Sequence, residues 1–330
     1  SAAQWALKQP YGWRAALAAL LIALALFWSG DRVEVGKMVR LTGEAVLAGV
    51  GLRDESQVGS GLGRMVGALF PIVLADRQEL ARLPDLDRNA LPRFTRIEQV
   101  EVTTWHLNAD TLKAEPTTEV KEYLIHPVGY LLKVLGKMVE TFEIAIWATI
   151  ISVTLSVPLA FFGARNYTPN RAAYTISRGV VSFLRSMPEL IIAMFLVLGY
   201  GFGPIAGFLA LGLHGAGFLG KFYAEDIEAA DRKPQEALAA LGAGKLRVLR
   251  AAVLPQVAPS YVAYTLYVLD RNVRMAAVIG LVGAGGIGQE LKGRYDLFDY
   301  GHVGTILTVI FLAVFVLDQV SARLRARLIG

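Results

Sequence analysis

Apolar runs of membrane-crossing length alternate with short polar connections through most of the chain, and this alternation predicts a bundle of helices. A helix needs roughly 20 residues to cross a bilayer. Lipid offers backbone amides no partner, so they must be satisfied within the segment, and helices follow. The first run, residues 15–28, lies behind Lys8 and Arg14. It predicts a span rather than a cleaved leader, because Ser29-Gly30-Asp31-Arg32 lacks a small-x-small site. An amphipathic stretch over 128–138 precedes a second run at 139–163. A third, 180–200, is interrupted by Arg185, Pro188 and Glu189; a fourth covers 203–220, a fifth 258–280 and a sixth 303–317. The expected fold is an all-α integral membrane protein with about six transmembrane helices. Residues 1–30 would form an N-terminal segment and first span, and 128–330 the core.

Between these blocks, over 31–127, hydropathy falls and charges of both signs mix with Asn, Pro and Thr. This predicts an extracytoplasmic segment. Within 61–70, Leu62, Met65, Val66, Leu69 and Phe70 share one side of a helix, as in a helix lying in the membrane interface or packed in a small lobe. Residues 103–107 tolerate a strand and permit a hairpin.

Composition agrees with the pattern: 54% of the 330 residues are hydrophobic, 18% are charged, and the mean hydropathy is +0.46. The net charge of +5 does not point to nucleic acid, because the basic residues cluster beside apolar runs. Arg165, Arg171 and Arg178 follow the second run; Lys221, Arg232, Lys233, Lys245, Arg247 and Arg250 follow the fourth; Arg323, Arg325 and Arg327 close the chain. All fall on one side if both termini are cytoplasmic, with mainly Lys292 and Arg294 opposite. Cysteine is absent, which excludes disulfides and Cys-based metal sites.

The polar segment 221–256 separates the fourth and fifth runs. Pro234 suits a first helical turn, 236–241 is helix-forming, and Gly242-Ala243-Gly244 breaks the helix. A second helix over 245–253 is expected to stop at Leu254-Pro255, since proline lacks an amide and restricts the residue before it. The product is a stiff helix-turn-helix that can transmit displacement as a rigid body.

The spacing Glu236-Ala237-Leu238, Gly242, then Val253-Leu254-Pro255 resembles the signature cytoplasmic loop of ABC importer permeases. Leu238 and Ala252 depart from the usual alanine and isoleucine, both within apolar character. From about residue 139 onward, Phe162-Gly163-Ala164-Arg165-Asn166, Arg185-Ser186-Met187-Pro188-Glu189, Asn272-Val273-Arg274 and the run Gly280 to Gly288 resemble the phosphonate/phosphite branch, with Asp270 where glutamate is usual. The resemblance implies a type I importer permease fold in a bacterial inner membrane, a non-enzymatic transport subunit. It implies as partners a second copy of the chain, two ATP-binding subunits carrying ATP and Mg, an extracytoplasmic phosphonate-type solute-binding protein, and lipid. Glu236, Ala237, Leu238, Gly242, Leu254 and Pro255 would then engage the ATPase, and this chain would bind no cofactor or metal of its own.

Gly283-x-Gly285-x-x-Gly288 satisfies a dinucleotide fingerprint by letter but lies between apolar spans, without the strand that a βαβ unit requires. Gly283, Gly285, Gly286 and Gly288 instead suit close packing or a re-entrant turn. Ionisable groups at membrane depth cost on the order of 2.5–3.5 kcal/mol each, so they face partners or water. Glu143, Glu189, His214, Asp270, Arg271, Arg274 and Asp318 are the candidates. Arg274 and His214 are the preferred pathway residues for an oxyanion, with Asn272, Glu189 and Asp270 beside them. Structural pairing is the competing account: Asp270 and Arg274 are spaced i,i+4, and Glu189 and Asp318 suit caps or pairs with arginines. An ion-coupled secondary transporter or a membrane-bound dehydrogenase would dispense with the docking loop, which favours the importer.

Overall fold

The computed structural model describes residues 12–52, 56–83, 91–92, 94–107 and 114–329. The segment before Gly12, Lys8 included, lies outside them, as do the side chains of Arg325 and Arg327. The chain divides into two compact units, residues 1–70 and 71–330.

The first unit holds α1 (Trp13–Arg32), α2 (Val35–Gly49) and α3 (Gln57–Leu69). None of the three helices has a buried residue. Glu34, in the left-handed region at φ 56°, turns the chain between α1 and α2. Ser56 caps α3 by accepting the Gly59 amide at 2.8 Å, so this helix begins earlier than its apolar pattern alone suggests. Leu62, Met65, Val66 and Phe70 are exposed.

The second unit opens on strand β1 (Asp76–Glu79), followed by β2 (Arg96–Leu107) and β3 (Ala114–His126). They form one antiparallel sheet in the order β1-β3-β2, with Asp76 opposite His126 and Val102 opposite Glu119. The permitted hairpin is thus formed and longer than expected, an addition to an otherwise helical fold. Gly129 sits where β3 turns into the next helix; a Cβ there would lie 2.9 Å from the Asp76 and His126 Cβ atoms. The preceding strap is fixed to the bundle. The Val73 amide donates to Gly301 O at 3.2 Å, Thr305 Oγ1 donates to Val73 O at 2.6 Å, and Leu74 O accepts the Tyr130 amide at 3.1 Å.

The bundle comprises α4 (Gly129–Gly163), α5 (Arg171–Ser186), α6 (Glu189–Tyr200), α7 (Pro204–Ala229), α8 (Arg232–Ala240), α9 (Lys245–Val248), α10 (Leu254–Ile279), α11 (Gly286–Asp296) and α12 (Tyr300–Ile329). The amphipathic stretch and the second run merge in α4, one helix of 35 residues, about 50 Å long. Small residues let α7 pack tightly on its neighbours: a Cβ on Gly212 would stand 2.8 Å from Ile151 Cγ2 of α4, and one on Gly217 2.8 Å from the Arg185 amide nitrogen of α5.

Helices α1, α4, α7 and α12 are long and apolar enough to cross a membrane, and the pair α5–α6 adds a fifth crossing if counted as one. That pair corrects the third expected run. It is bent by 92° rather than straight, because Pro188 withholds an amide and holds Met187 extended at ψ 124°. The expected fifth span, α10, is not among these helices; it carries Asp270, Arg271 and Arg274 besides two prolines.

Candidate functional site

Asp231 opens α8 by accepting the Lys233 amide at 3.1 Å, and Gln235 then ties the helix down. Gln235 Nε2 donates to the Asp231 carbonyl at 2.9 Å, and Gln235 Oε1 accepts Tyr167 Oη–H at 2.8 Å. Gln256 Oε1 accepts the Asp231 amide at 3.0 Å, fastening the same point to α10. Gly242 makes the turn at φ 80°, a conformation that costs an L-residue roughly 1–2 kcal/mol.

Beyond α9, the structure corrects the expected stop. Leu249–Val253 form a π-helical turn that runs directly into α10, and Pro255 lies in the first turn of that helix, where a missing amide is harmless. Val248, Leu249, Ala252 and Val253 are buried, and Leu249 and Val253 pack with Tyr167, Tyr223 and Ile227. Glu236, Ala237, Gly242, Leu254 and Pro255 are exposed and Leu238 is half-buried. Leu241 and Leu246 are also open to solvent, at 83% and 55%. The element is therefore bolted to the bundle on one face and leaves leucines unpartnered on the other.

Six of the membrane-depth candidates named from the sequence fall into two separate groups. In the first, Arg271 on α10 pairs with Glu189, which opens α6, while His214 on α7 sets Nε2 3.5 Å from the same Glu189 oxygen. His214 Nδ1 faces the Met187 carbonyl at 3.0 Å. In the second, Arg274 donates to Asp270 Oδ2 at 2.7 Å and to Asp318 Oδ1 at 2.8 Å. Arg274 and His214, preferred together from the sequence, thus belong to different clusters, and the partner that His214 and Arg271 share is Glu189. Asn272 is buried and donates to Thr149 Oγ1 at 3.0 Å. Glu143 is exposed.

The glycine run is a tight turn: Gly283, Gly285 and Gly286 have φ of 89°, 83° and 70°. A Cβ on Gly280 would fall 2.5 Å from Gly285 O and 2.7 Å from Gly288 Cα, and one on Gly288 would overlap Ala277 O. Glu140 Oε1 accepts the Gly286 amide at 3.0 Å and Thr141 Oγ1 the Ile287 amide at 2.8 Å. The element before the turn is α10, not a strand, so the dinucleotide geometry is not formed.

Sequence reasoning missed the roles of Glu140 and Thr141, and also a knot at the far end of α4. There Arg178 Nε donates to Gly163 O at 2.8 Å, and Glu228 Oε1 accepts the Arg165 amide at 2.7 Å. The available signal was a carboxylate and arginines at the ends of apolar runs, which topology had already absorbed.

Residues 156–329 match the family described as binding-protein-dependent transport system inner membrane component. The chain belongs to this family. The putative phosphite transport system permease protein HtxE of Stutzerimonas stutzeri is 59% identical over 261 residues, covering 79% of this chain and all of that relative (100%). The phosphite transport system permease protein PtxC of the same organism is 43% identical over 188 residues, 57% of this chain and 68% of its own. Among solved structures, the crystal structure of an amino acid ABC transporter with histidines superposes with a TM-score of 0.52 at 15% identity, covering 61% of this chain and 96% of that one. This likeness concerns the fold alone, a mostly helical bundle. The bolted element with exposed leucines and the largely buried Glu189–Arg271–His214 cluster are the features that the bundle sets apart.

Proposed function

We propose that the chain is the membrane-crossing subunit of an ATP-driven importer for a phosphorus oxyanion of the phosphite and phosphonate class. Two copies would enclose the path, because two-fold pairing is the commonest closed assembly, and an extracytoplasmic solute-binding protein would deliver the anion. Two ATP-binding subunits, holding ATP and Mg, would seat against Glu236 to Pro255. Both termini would then face the cytoplasm, with 31–127 on the outer side, and the chain itself would catalyse no reaction.

The observation that carries this reading is the 59% identity to a putative phosphite transport permease over that relative's full length. The geometry supports it in one respect above all: the coupling element is fastened by Tyr167, Gln235 and Gln256, so a push on α8 reaches α10 and its two arginines without slack.

The test is uptake by proteoliposomes holding the chain with its ATP-binding subunits and binding protein. Phosphite or methylphosphonate should enter only with ATP and Mg inside the appropriate compartment. Uptake driven by an ion gradient without ATP would overturn the reading.

A further inference from the structure

Glu189, Arg271 and His214 come from three helices, α6, α10 and α7, and their side chains are 14%, 23% and 11% exposed. His214 is ten residues past the first residue of α7, which at 1.5 Å per residue places it about 15 Å along the helix. With Pro204 placed at the edge of a hydrocarbon layer roughly 30 Å thick, that is near its middle. An unpaired guanidinium at that depth would be costly, and Glu189 supplies the negative charge.

Arg271 is not fully used by that pairing. Arginine presents five N–H donors and no acceptor, and among the described residues Glu189 is the only hydrogen-bond acceptor it finds. One side of its guanidinium faces the Phe218 ring at 6.0 Å, which accepts no conventional hydrogen bond. Arg274 is different, because Asp270 and Asp318 both hold it. Spare donors therefore collect at Arg271.

His214 adds a second half to the pattern. The Met187 carbonyl can only accept, so Nδ1 carries the hydrogen toward it. In the neutral ring, Nε2 is then a lone pair facing Glu189 Oε1 at 3.5 Å, longer than a hydrogen bond. The cluster offers donors from Arg271 beside an unused acceptor on His214.

We infer that Glu189 is an internal stand-in for the transported anion, occupying an oxyanion site built by Arg271 and His214 that the substrate takes when Glu189 moves aside. This rests on the importer reading above and adds the site and its form of substrate. A hydrogen phosphite or hydrogen phosphonate monoanion carries P–O⁻ oxygens for the guanidinium and a P–OH hydrogen for Nε2. Sulfate at neutral pH has no such hydrogen and leaves Nε2 unmet. Glu189 is the first residue after the 92° break at Met187–Pro188, so a change at that bend carries it off Arg271. When it returns, it competes the anion away, which keeps the site from becoming a trap.

The experiment uses the assembled complex of permease and ATP-binding subunits, purified without binding protein, and titrates phosphite and sulfate by calorimetry. Wild type should bind neither measurably. Glu189→Gln should bind phosphite at least about tenfold more tightly than the weakest binding the titration detects and import it more slowly than wild type, with sulfate weaker by a similar factor. Adding Arg271→Gln should abolish that binding. Should Glu189→Gln fail to assemble, Glu189→Asp, which shortens the reach but keeps the charge, gives the same readout with a smaller gain. An assembled variant that binds phosphite no better than wild type overturns the stand-in role, and sulfate bound as tightly as phosphite overturns the role of His214. If wild type imports phosphite and the variant still binds nothing, only this inference fails. If wild type imports no phosphorus oxyanion, the importer reading fails first.

Discussion

Arg178 Nη2 lies 3.1 Å from Glu228 Oε1, joining α5 to the last turn of α7 just before α8. The same guanidinium reaches the Gly163 carbonyl through Nε, so one side chain ties α4, α5 and α7 where α8 departs. Hydrogen bonds to charged groups contribute about 1.5–3 kcal/mol each when partly shielded. Arg178→Ala should therefore lower the melting temperature of the purified complex and reduce ATP-driven uptake several-fold. Glu228→Gln should be milder, because its side-chain oxygen still accepts the Arg165 amide. Equal uptake by wild type and Arg178→Ala would show that the knot does not transmit force.

Leu241 separates stability from docking. It is 83% exposed, and surface changes away from special features usually stay within about ±0.5 kcal/mol. Leu241→Asp should leave the melting temperature of the isolated permease unchanged while weakening its co-purification with the ATP-binding subunit. Gly242→Val should lower both: at φ 80° a β-branched side chain is strained, so the fold of the element and the association suffer together. Pull-down yield beside a thermal melt distinguishes them, and a Leu241→Asp variant that binds its ATPase normally removes that leucine from the interface.

The turn after α10 predicts a sharp intolerance. A Cβ on Gly280 would lie 2.5 Å from a backbone oxygen, and backbone cannot yield as a flexible side chain does. Overpacking in well-filled interiors costs about 1–3 kcal/mol, sometimes more. Gly280→Ala should cut the yield of folded protein extracted from membranes, whereas Gly293→Ala, which meets open space, should not. Equal yields would mean that the turn relaxes.

How much of this was readable beforehand depends on what each feature needs. The long helices were legible because lipid imposes a length and an apolar pattern, and α1, α4, α7 and α12 follow it. The helix, turn and second helix over 232–253 were legible from Pro234 and the Gly242–Gly244 break, although the second helix continues into α10 because a proline in a first turn is no stop. Helix α2 escaped because Lys37, Arg40 and Glu44 dilute its apolar stripe. The ion clusters were legible as a set of costly residues but not as pairs: Glu189 and Arg271 are 82 positions apart, and only the packing of α6 on α10 brings them together. The i,i+4 pairing of Asp270 with Arg274 could be read, being internal to one helix.

A final prediction concerns acid stability at the end of the bundle bearing the sheet. Glu290 on α11 accepts Lys133 Nζ at 3.0 Å and Arg294 Nε at 3.2 Å. Burial pushes its carboxyl upward, but Lys133 and Arg294 more than offset this and hold it below its ordinary 4.5. Asp299 behaves alike: burial opposes the charge, and His302 and Arg294 bring the net direction down from 3.8. A carboxylate depressed in the folded state binds its proton more weakly there than in the unfolded chain. Its stabilisation is thus complete above the ordinary value and disappears as pH falls through the folded one. Glu290→Gln should consequently melt below wild type at neutral pH. The gap should begin to close below about pH 4.5 and vanish once wild-type Glu290 is itself protonated. Asp299→Asn should show the same convergence from a lower starting pH, since its ordinary value is 3.8. Melting curves from neutral to strongly acid pH check both, and a gap that stays constant across the range would mean that neither carboxylate's charge stabilises the fold.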